Sequence, residues 1–597
     1  MGRTTRLGAG LFLSFSKIFP FGIINFLIFA KISKMREVTI KNSGATFTPT
    51  ELADFLSDKL ISELNLQAET SYTILDPACG EGELLTSIAK KIKSSQNKSK
   101  LNIKGFDTNI DYLITARSNL SEFDINVDIQ NQDFLSTQGV CAEPLNLFSQ
   151  NYSEEYADII IANPPYVRTQ ILGAEKAQEI AKRFNLKGRV DLYYPFLIAM
   201  TNVLKKGGLI GVITSNRYLF TKSGESIRKF LLENYEPIEV IDLGDTKIFD
   251  AAVLPAIFIG RKKSSKKQLS EPCKFAKIYE ELNGIDKPVF VENSLFDIIK
   301  NNKSGVYSVN ERKYNFSVGL LKHGPNKTDI WQMTNSEENK WIKQISKNST
   351  FQIGDKFKVR VGVKSCADNV FLKQNWDKEP IVPENDLFKK LISQENIQRW
   401  CYSSENDLKI LYPHYSANGK RLVINLENYP NANKYFEANK EQLEGRKYLI
   451  EAGRNWYEMW VPQNPEFWAL PKLVFPDISV DARFYYDENG SVVNGNCYWI
   501  VAQTEQEKEL LLLIQGVANS DLMAQYHDLC FNNKLYSGRR RYFSQYIEKY
   551  PMPNPNNKSS KQIIEVVKKL NELSALKRDV VELETKLNDL VNESFGF

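Results

Sequence analysis

The chain has 597 residues, too many for one hydrophobic core, and its composition is that of a globular protein: 42% hydrophobic, 25% charged and 12% aromatic. The net charge is only +5, so contact with nucleic acid would have to come from local basic patches rather than from the total. The seven cysteines form no C-x-x-C pair, which argues against a zinc site and a disulfide framework and fits a reducing cytoplasm. The three histidines show no metal-ligand spacing, so no metal is expected.

Residues 1–34 are rich in apolar side chains, but Lys17, Pro20 and Asn25 interrupt the run before it reaches the length of a membrane span. Three interpretations stay open: a start-site extension upstream of Met35, a poor membrane anchor, or another role. The first is favoured, and nothing downstream looks secreted.

A Thr-Pro segment at 45–51 introduces the first predicted helix. Apolar residues at helical spacing follow it. Thr48 is predicted as the N-cap, with Pro49 at the first helical position and Glu51 completing a capping box. An ordinary capped helix explains this pattern, and so does a loop that closes over a bound cofactor.

A glycine-bearing turn follows the first predicted strand, which ends at Asp76. Gly80 and Gly82 would let the backbone approach a ligand where a Cβ atom would collide. The turn does not have the sequence G-x-G-x-x-G, and it lacks the Gly-Lys-Ser/Thr end of a phosphate loop. Both absences argue against a dinucleotide or ATP as the ligand. A carboxylate at this strand end suits a cationic, amino-bearing ligand.

Two further predicted strands also lead into acidic residues. Asp107 ends the strand at 103–107 and lies 25 residues beyond Gly82, near the offset of about 20 at which an acid meets ribose hydroxyls. Asp133 and Phe134 follow the strand near 126–131. A surface acid beside a core phenylalanine is the alternative interpretation of that pair.

The apolar run at 159–162 predicts a buried parallel strand that spans 158–162. Asn163, Pro164, Pro165 and Tyr166 follow it. Because two prolines cannot donate to a strand ladder, the strand must end at Asn163. An amide, two proline carbonyls and an aromatic ring therefore lie at the carboxyl end of a core strand, where open α/β sheets bind ligands.

The tetrapeptide Asn-Pro-Pro-Tyr resembles the catalytic motif of amino-methyltransferases, which methylate exocyclic or amide nitrogens with S-adenosylmethionine. With the Thr-Pro helix, the glycine turn, the strand-end acids and a later segment at 247–253, in this order, the chain resembles the γ-arranged N6-adenine DNA methyltransferases of restriction–modification systems. The match covers roughly residues 44–262. It implies an α/β, Rossmann-like, S-adenosylmethionine-dependent methyltransferase domain.

This resemblance also implies roles for individual residues. The Asn163 side-chain oxygen and the Pro164 carbonyl would accept hydrogen bonds from the two N6 protons of a flipped-out adenine, and Tyr166 and Phe249 would stack on that base. Pro165 completes the motif, and methylation requires no metal. The S-adenosylmethionine site would consist of Thr48, Asp76, Ala78, Gly80, Gly82, Asp107, Asp133 and Phe134.

In the second half of the chain, basic residues alternate with tryptophan and tyrosine, a pattern suited to phosphate contact and base packing. This half resembles the C-terminal target-recognition domain of the same methyltransferases, especially the type IIG-associated group. The candidate DNA contacts are Lys364, Arg454, Trp456, Arg539, Arg540 and Arg541.

The predicted organisation is a catalytic domain at 36–265, a polar connector at 266–350, a mixed α/β target-recognition domain at 351–556 and a C-terminal helix at 557–597. The apolar stripe of that helix is weak evidence for a coiled-coil dimer, and packing against the recognition domain explains it equally well.

The predicted function is site-specific adenine-N6 methylation of double-stranded DNA in the cytoplasm, as the modification component of a type II restriction–modification system. A restriction endonuclease encoded separately is the expected partner, and the expected state is a monomer or weak dimer. The alternatives are a bifunctional type IIG restriction–methylation enzyme, a protein-glutamine or RNA methyltransferase, and a non-catalytic DNA-binding specificity protein.

Overall fold

A computed structural model of the chain describes residues 47–64, 70–94, 99–137, 154–166, 174–184, 191–249, 253–265, 272–281, 289–531, 535 and 538–597. The predicted apolar segment at 1–34 lies outside these residues. Within them, no helix has the length and apolar character needed to cross a membrane. The chain divides into two compact units. The first runs to Cys273 and the second begins at Lys274, except that 219–222 and 243–246 belong to the second.

The first unit is built on a doubly wound sheet of strand order 3-2-1-4-5-7-6. Strands 1 to 5 pair in parallel, and strand 7 runs antiparallel between strands 5 and 6. The order reverses between strands 1 and 4, the kind of switch point at which α/β sheets bind ligands. The predicted Rossmann-like fold is confirmed. The strands are β1 (Ser71–Asp76), β2 (Lys100–Asp107), β3 (Asn126–Asn131), β4 (Ala157–Ala162), β5 (Leu204–Ser215), β6 (Tyr235–Asp242) and β7 (Pro255–Lys262).

Strand β4 is the buried parallel strand that the sequence predicts. Ile159, Ile160 and Ile161 are fully buried, and the strand pairs in parallel with β1 on one side and β5 on the other. It ends at Ala162, directly before Asn163. The helices up to residue 234 are α1 (Thr50–Ser62), α2 (Glu83–Ser94), α3 (Ile110–Leu120), α4 (Phe134–Thr137), α5 (Ala174–Arg183), α6 (Tyr193–Val203), α7 (Arg217–Phe220) and α8 (Glu225–Asn234).

Helix α1 begins later than the sequence predicts. Pro49, with an extended backbone (φ −61°, ψ 144°), is its N-cap, and no side chain caps the helix. The Pro49 carbonyl accepts hydrogen bonds from the backbone N–H groups of Leu52 and Ala53, both at 3.0 Å. The predictions that Thr48 is the N-cap, that Pro49 is the first helical residue and that Glu51 closes a capping box are therefore wrong. The Thr48 hydroxyl instead contacts the Asn163 side chain.

The second unit contains several smaller sheets. Four of its strands pair in the order β9-β10-β11-β8, and two separate four-stranded sheets have the orders β13-β23-β19-β21 and β14-β16-β15-β22. Its strands are β8 (Lys274–Glu280), β9 (Val289–Val291), β10 (Gly305–Val309), β11 (Arg312–Leu320), β12 (Phe351–Gln352), β13 (Arg360–Val361), β14 (Leu372–Lys373), β15 (Phe388–Ile392), β16 (Leu408–Leu411), β17 (His414–Ala417), β18 (Lys420–Val423), β19 (Lys472–Pro476), β20 (Ile478–Ser479), β21 (Tyr485–Asp487), β22 (Val492–Val493), β23 (Cys497–Val501), β24 (Arg540–Arg541) and β25 (Pro551–Met552).

Helices in the second unit lie between these strands and at the C-terminus. They are α9 (Leu295–Asn301), α10 (Ser336–Lys347), α11 (Ile353–Lys356), α12 (Asp368–Phe371), α13 (Pro430–Ala438), α14 (Lys440–Glu444), α15 (Lys447–Glu451), α16 (Glu505–Ala518), α17 (Asp521–Phe531), α18 (Ser544–Ile547), α19 (Lys558–Ala575) and α20 (Val581–Ser594).

The described residues of 274–347, a range predicted to be part of a polar connector, instead form four strands and two helices of the second unit. Strand β8 is buried on both faces, since Phe275 and Ile278, which point to opposite faces, are almost fully enclosed. Its apolar pairs are short and lie among lysine and glutamate residues, which explains why composition alone concealed the strand.

Strand β19 divides two hydrophobic cores. Leu473 and Phe475 pack into one core with α16, α19 and α20, whereas Val474 packs into the other with Trp499 and Tyr412. Because successive strand residues point to opposite faces, an uninterrupted apolar run fills both cores.

The C-terminal segment forms two helices rather than the single helix predicted. The chain turns between α19 and α20, where Lys577 has a left-handed backbone (φ 55°) and the Asp579 carboxylate accepts a hydrogen bond from Val581 N at 3.0 Å. The apolar stripe packs inside the second unit, where Gly516 of α16 leaves no room for a Cβ atom beside Ile563 and Val567.

A buried ion pair joins β19 to β21. The Lys472 ammonium contacts the Asp487 carboxylate at 3.0 Å and also donates to the Trp468 carbonyl at 2.7 Å, and both charged side chains are at most 1% exposed. Ser491 donates to the same carboxylate through its N–H and its hydroxyl. A pair this enclosed is costly to break, because the remaining charge stays buried.

We predict that Lys472→Met lowers the free energy of unfolding of the second unit by about 3–5 kcal/mol, because it leaves the Asp487 charge buried without its cation. The matched control is Lys508→Met, which removes a lysine paired with the largely exposed Glu505 and should change stability by about 0.5 kcal/mol or less. Denaturant unfolding measures both. Equal effects of the two substitutions would show that the buried pair does not stabilise the unit.

Candidate active site

A cavity of about 620 Å³ lies at the carboxyl ends of β1, β2, β3 and β4 in the first unit. Its volume falls in the range of small-molecule sites. The loops after these strands and helices α5 and α6 line it, with Pro77, Ala78, Gly80, Asp107, Thr108, Asn109, Gln132, Asp133, Phe134, Asn163, Pro165, Glu179, Ile180, Arg183 and Phe196 among the lining residues.

Two carboxylates hold the glycine turn after β1. Gly80 N donates to Asp107 Oδ2 at 3.0 Å, and Ala78 N donates to Asp76 Oδ1 at 3.0 Å. Gly80 has a left-handed backbone (φ +51°), and a Cβ atom there would meet nothing within 4 Å, so the position faces open space in the cavity wall. The turn is therefore a cradle whose shape depends on glycine and on Asp107.

Gly82 lies against helix α3. It has φ +82°, and a Cβ atom there would lie 3.0 Å from the Ala116 side chain of α3. It does not line the cavity, nor do Asp76 and Thr48. The glycine is needed for the turn and for close packing of α3.

Asp133 and Phe134 form the far wall of the cavity. The Asp133 carboxylate accepts hydrogen bonds from Leu135 N at 3.0 Å and from the Ser136 hydroxyl at 2.9 Å, which fixes its orientation at the start of α4. Phe134 is 1% exposed and packs edge-on against Phe106, with ring centroids 5.2 Å apart. An oriented acid thus stands beside a rigid aromatic ring.

Asp76 is completely buried below the turn. Burial raises its pKa to about 8, and the nearby Asp107 charge adds to the rise, while the hydrogen bond from Ala78 N opposes it. At neutral pH the carboxyl group of the protein without a ligand is therefore largely protonated. A cation bound nearby would favour its ionised form.

Asn163 lies at the end of β4, where it lines the cavity and is 9% exposed. Its Nδ2 donates to Thr48 Oγ1 at 3.0 Å, and its Oδ1 accepts from the Tyr166 hydroxyl at 2.7 Å. The rings of Tyr166 and Phe249 lie 6.3 Å apart with a 53° tilt. The structure therefore places Phe249, which is distant in sequence, beside Tyr166 and close to the end of β4.

Two domain families match this chain. Residues 39–249 match the Eco57I restriction-modification methylase family, and residues 405–552 match the TaqI-like C-terminal specificity domain. The type II methyltransferase M.BanIII of Aneurinibacillus aneurinilyticus is 44% identical over 566 residues, which cover 93% of this chain and 97% of that protein. The type II methyltransferase M.BstVI of Geobacillus stearothermophilus is 22% identical over 542 residues, which cover 87% of this chain and 91% of that protein.

This chain belongs to the type II methyltransferases. It is the DNA-methylating, modification component of a restriction–modification system, and S-adenosylmethionine is its cofactor. The specificity domain makes DNA its partner. A nuclease-deletion mutant of the type ISP restriction–modification enzyme LlaGI, solved with a DNA substrate mimic, is similar in fold, with 12% identity and a TM-score of 0.50. The similarity covers 89% of this chain and 47% of the LlaGI chain.

Several cavity residues of this methyltransferase escaped sequence reasoning. Helix α5 contributes Glu179, Ile180 and Arg183, and the Arg183 guanidinium donates to the Ser136 carbonyl at 3.1 Å. Phe47 packs edge-on against Tyr112 at the cavity rim, with centroids 5.3 Å apart. No motif marks α5, but Phe47 directly precedes the Thr-Pro pair, and that position is a usable signal in the sequence.

The side chains of the candidate DNA contacts differ in the bonds that they already make within the protein. The Arg540 guanidinium makes a bidentate pair with Asp528, at 2.7 and 2.8 Å, and Arg541 contacts Asp477 at 3.4 Å. Arg454 donates to the carbonyls of Met459 and Trp460. Trp456 packs edge-on against Tyr457 and Phe436, and the Lys440 ammonium lies over its ring. Lys364 and Arg539 have exposed side chains.

We predict that Asp76→Asn stabilises the ligand-free methyltransferase in a pH-dependent way. The substitution keeps an acceptor for Ala78 N but cannot ionise. Because the folded pKa of Asp76 is raised, its stabilising contribution is complete below about pH 4 and is lost as the pH rises through about 8. The advantage of the variant should therefore grow from pH 5 to 8 and then level off. Thermal unfolding across this range measures it, and a difference that does not change with pH would contradict the prediction.

Proposed function

We propose that the chain transfers the methyl group of S-adenosylmethionine to the exocyclic N6 amine of an adenine in double-stranded DNA. The observation that carries the proposal is the position of Asn163. Its amide lines the cofactor cavity on one side and contacts Tyr166, next to Phe249, on the other. A single acceptor group thus lies where a methyl donor and a target amine would meet.

The cavity residues fit S-adenosylmethionine. Each Asp107 carboxylate oxygen accepts one backbone N–H, from Gly80 or Asn109, and retains a lone pair for a ribose hydroxyl. Asp133 would accept from the adenine amine of the cofactor, and Phe134 would pack on its ring. The open space at Gly80 leaves room for the methionine part. When bound, the cofactor supplies an activated sulfonium methyl group.

The chemistry requires acceptors rather than a strong base. As N6 takes the methyl group, the sulfur–methyl bond breaks and the nitrogen becomes cationic, and it then loses one proton to water. The N6 lone pair of adenine is delocalised into the ring, and hydrogen bonds from its two protons to Asn163 Oδ1 and the Pro164 carbonyl would draw the nitrogen toward tetrahedral geometry. These fixed dipoles also stabilise the positive charge that develops there. Burial raises the pKa of the Tyr166 phenol, so this hydroxyl keeps its proton and acts as a donor to Asn163.

Cysteine chemistry at a ring carbon is not supported. Cys79 is buried, and its pKa is raised by burial and by the charges of Asp76 and Asp107, so it carries little thiolate, the form needed for covalent catalysis. None of the described cavity residues is a cysteine. Methylation of an exocyclic amine is therefore the better-supported reaction.

The target base must leave the duplex to reach Asn163. The rings of Tyr166 and Phe249 are already within the range of direct ring contact, so an incoming base would have to part them. Stacking on both would return about 1–3 kcal/mol per ring contact. Phe249 is 6% exposed, which makes it a wall of this proposed base site rather than a surface residue.

We also propose how the chain works within the restriction–modification system. The specificity domain reads the DNA sequence, a restriction endonuclease encoded separately recognises the same site, and the methyltransferase works as a monomer or weak dimer. Incubation of the purified chain with DNA and Mg²⁺ separates this from the bifunctional alternative, because only a bifunctional enzyme would cut.

We predict that Asn163→Ala lowers the methylation rate by about 10²–10³, while the affinities for DNA and cofactor stay close to those of the parent. Mass spectrometry of nucleosides from DNA methylated by the parent chain should reveal N6-methyladenine. Methylcytosine as the product, or near-normal turnover by Asn163→Ala, would overturn the proposal.

We also predict that Lys364→Ala and Arg539→Ala weaken DNA binding at all sequences alike and lower the slope of log K against log salt by about 0.9 for each phosphate that the protein no longer neutralises. Arg540→Ala is the contrast, since its guanidinium is paired with Asp528 and its removal should mainly lower stability. Fluorescence anisotropy over a salt series, with thermal unfolding of each variant, distinguishes these effects. An unchanged slope in both exposed-residue variants would remove them from the DNA interface.

A further inference from the structure

The hydroxyl of Thr48 is not used to begin helix α1. Pro49 is the N-cap, and the helix has no side-chain cap. The Thr48 oxygen instead accepts a hydrogen bond from Asn163 Nδ2 at 3.0 Å, across 115 residues of sequence. Threonine often caps helices, but here its hydroxyl bonds to the Asn163 amide at the end of β4.

Two hydrogen bonds involve different atoms of the Asn163 amide. The nitrogen faces Thr48, and the oxygen faces the Tyr166 hydroxyl at 2.7 Å. Tyr166 and Phe249 form the proposed base site, so this arrangement points the acceptor oxygen toward the base. The side chain is 9% exposed, so solvent offers little competition for the same contacts.

We infer that Thr48 is a positioning residue for methyl transfer, which holds the Asn163 amide so that its oxygen faces the target amine. This inference rests on the proposed function. Donation from Nδ2 to an acceptor also polarises the amide and makes its oxygen a stronger acceptor, since linked hydrogen bonds reinforce one another. Thr48 therefore acts on the target nitrogen through Asn163 and does not touch it.

The role differs from the cofactor contact that the resemblance implies for this threonine. Phe47 lines the cavity, whereas Thr48 does not. A cofactor role predicts a higher KM for S-adenosylmethionine when the hydroxyl is removed. A positioning role predicts a lower rate of the chemical step with the affinities for cofactor and DNA retained.

The test compares Thr48→Val, which keeps the shape but removes the acceptor, with Thr48→Ser, which keeps the hydroxyl. Single-turnover methylation should fall about tenfold in Thr48→Val, the rate equivalent of one ordinary hydrogen bond, and return to near the parent rate in Thr48→Ser. Dissociation constants for cofactor and DNA should change less than about twofold. Thr50→Val, an identical change at the exposed start of α1, should have no effect.

Two results would overturn the inference: a parent rate in Thr48→Val, or a loss confined to the KM for the cofactor. A double-mutant cycle of Thr48→Val and Asn163→Ala, read by thermal unfolding, tests the contact without any methylation assay, and additive effects would also count against it. If the parent chain methylates a base other than adenine, the proposed function fails, yet the cycle still reports on the contact.

Discussion

The end of strand β4 is the constraint on which the site depends. Parallel pairing with β1 and β5 fixes this strand at the centre of the sheet, and the two prolines after Asn163 cannot extend either ladder. The chain must leave the sheet at that residue, on the edge where the loops after β1, β2 and β3 also emerge. A polar amide at the end of an otherwise apolar strand is thereby placed beside the cavity that we propose for the cofactor.

That position gives Asn163 contacts on two sides. On one side it lines the cavity that we propose for the cofactor, and on the other it meets Tyr166, whose ring approaches Phe249. Methyl transfer requires donor and acceptor atoms to be brought into line, and positioning of this kind supplies much of a rate enhancement. The carboxylates of Asp107 and Asp133 are fixed by backbone hydrogen bonds before any ligand arrives, so little reorganisation is required when it binds.

Local patterns predicted the parts of the site whose geometry is set by neighbouring residues. The apolar run before two prolines, the acid at the end of β2 and the glycine turn depend on backbone rules, and each lies where the sequence indicates. Such rules fail at Thr48. Its residue type and position predict a helix cap, but its hydroxyl instead accepts a hydrogen bond from Asn163, which is distant in sequence. The fold of 274–347, the turn at Lys577 and the lining residues of α5 were missed for a similar reason. Each depends on what the segment packs against, which a single sequence does not display.

The most direct measurement is an experimental structure of the chain with DNA containing its target site and a non-reactive analogue of S-adenosylmethionine. We expect an extruded adenine between Tyr166 and Phe249, with its N6 atom within about 3.2 Å of both Asn163 Oδ1 and the Pro164 carbonyl, and the Thr48–Asn163 hydrogen bond retained. A target base bound elsewhere, or one whose amine contacts neither acceptor, would contradict the account.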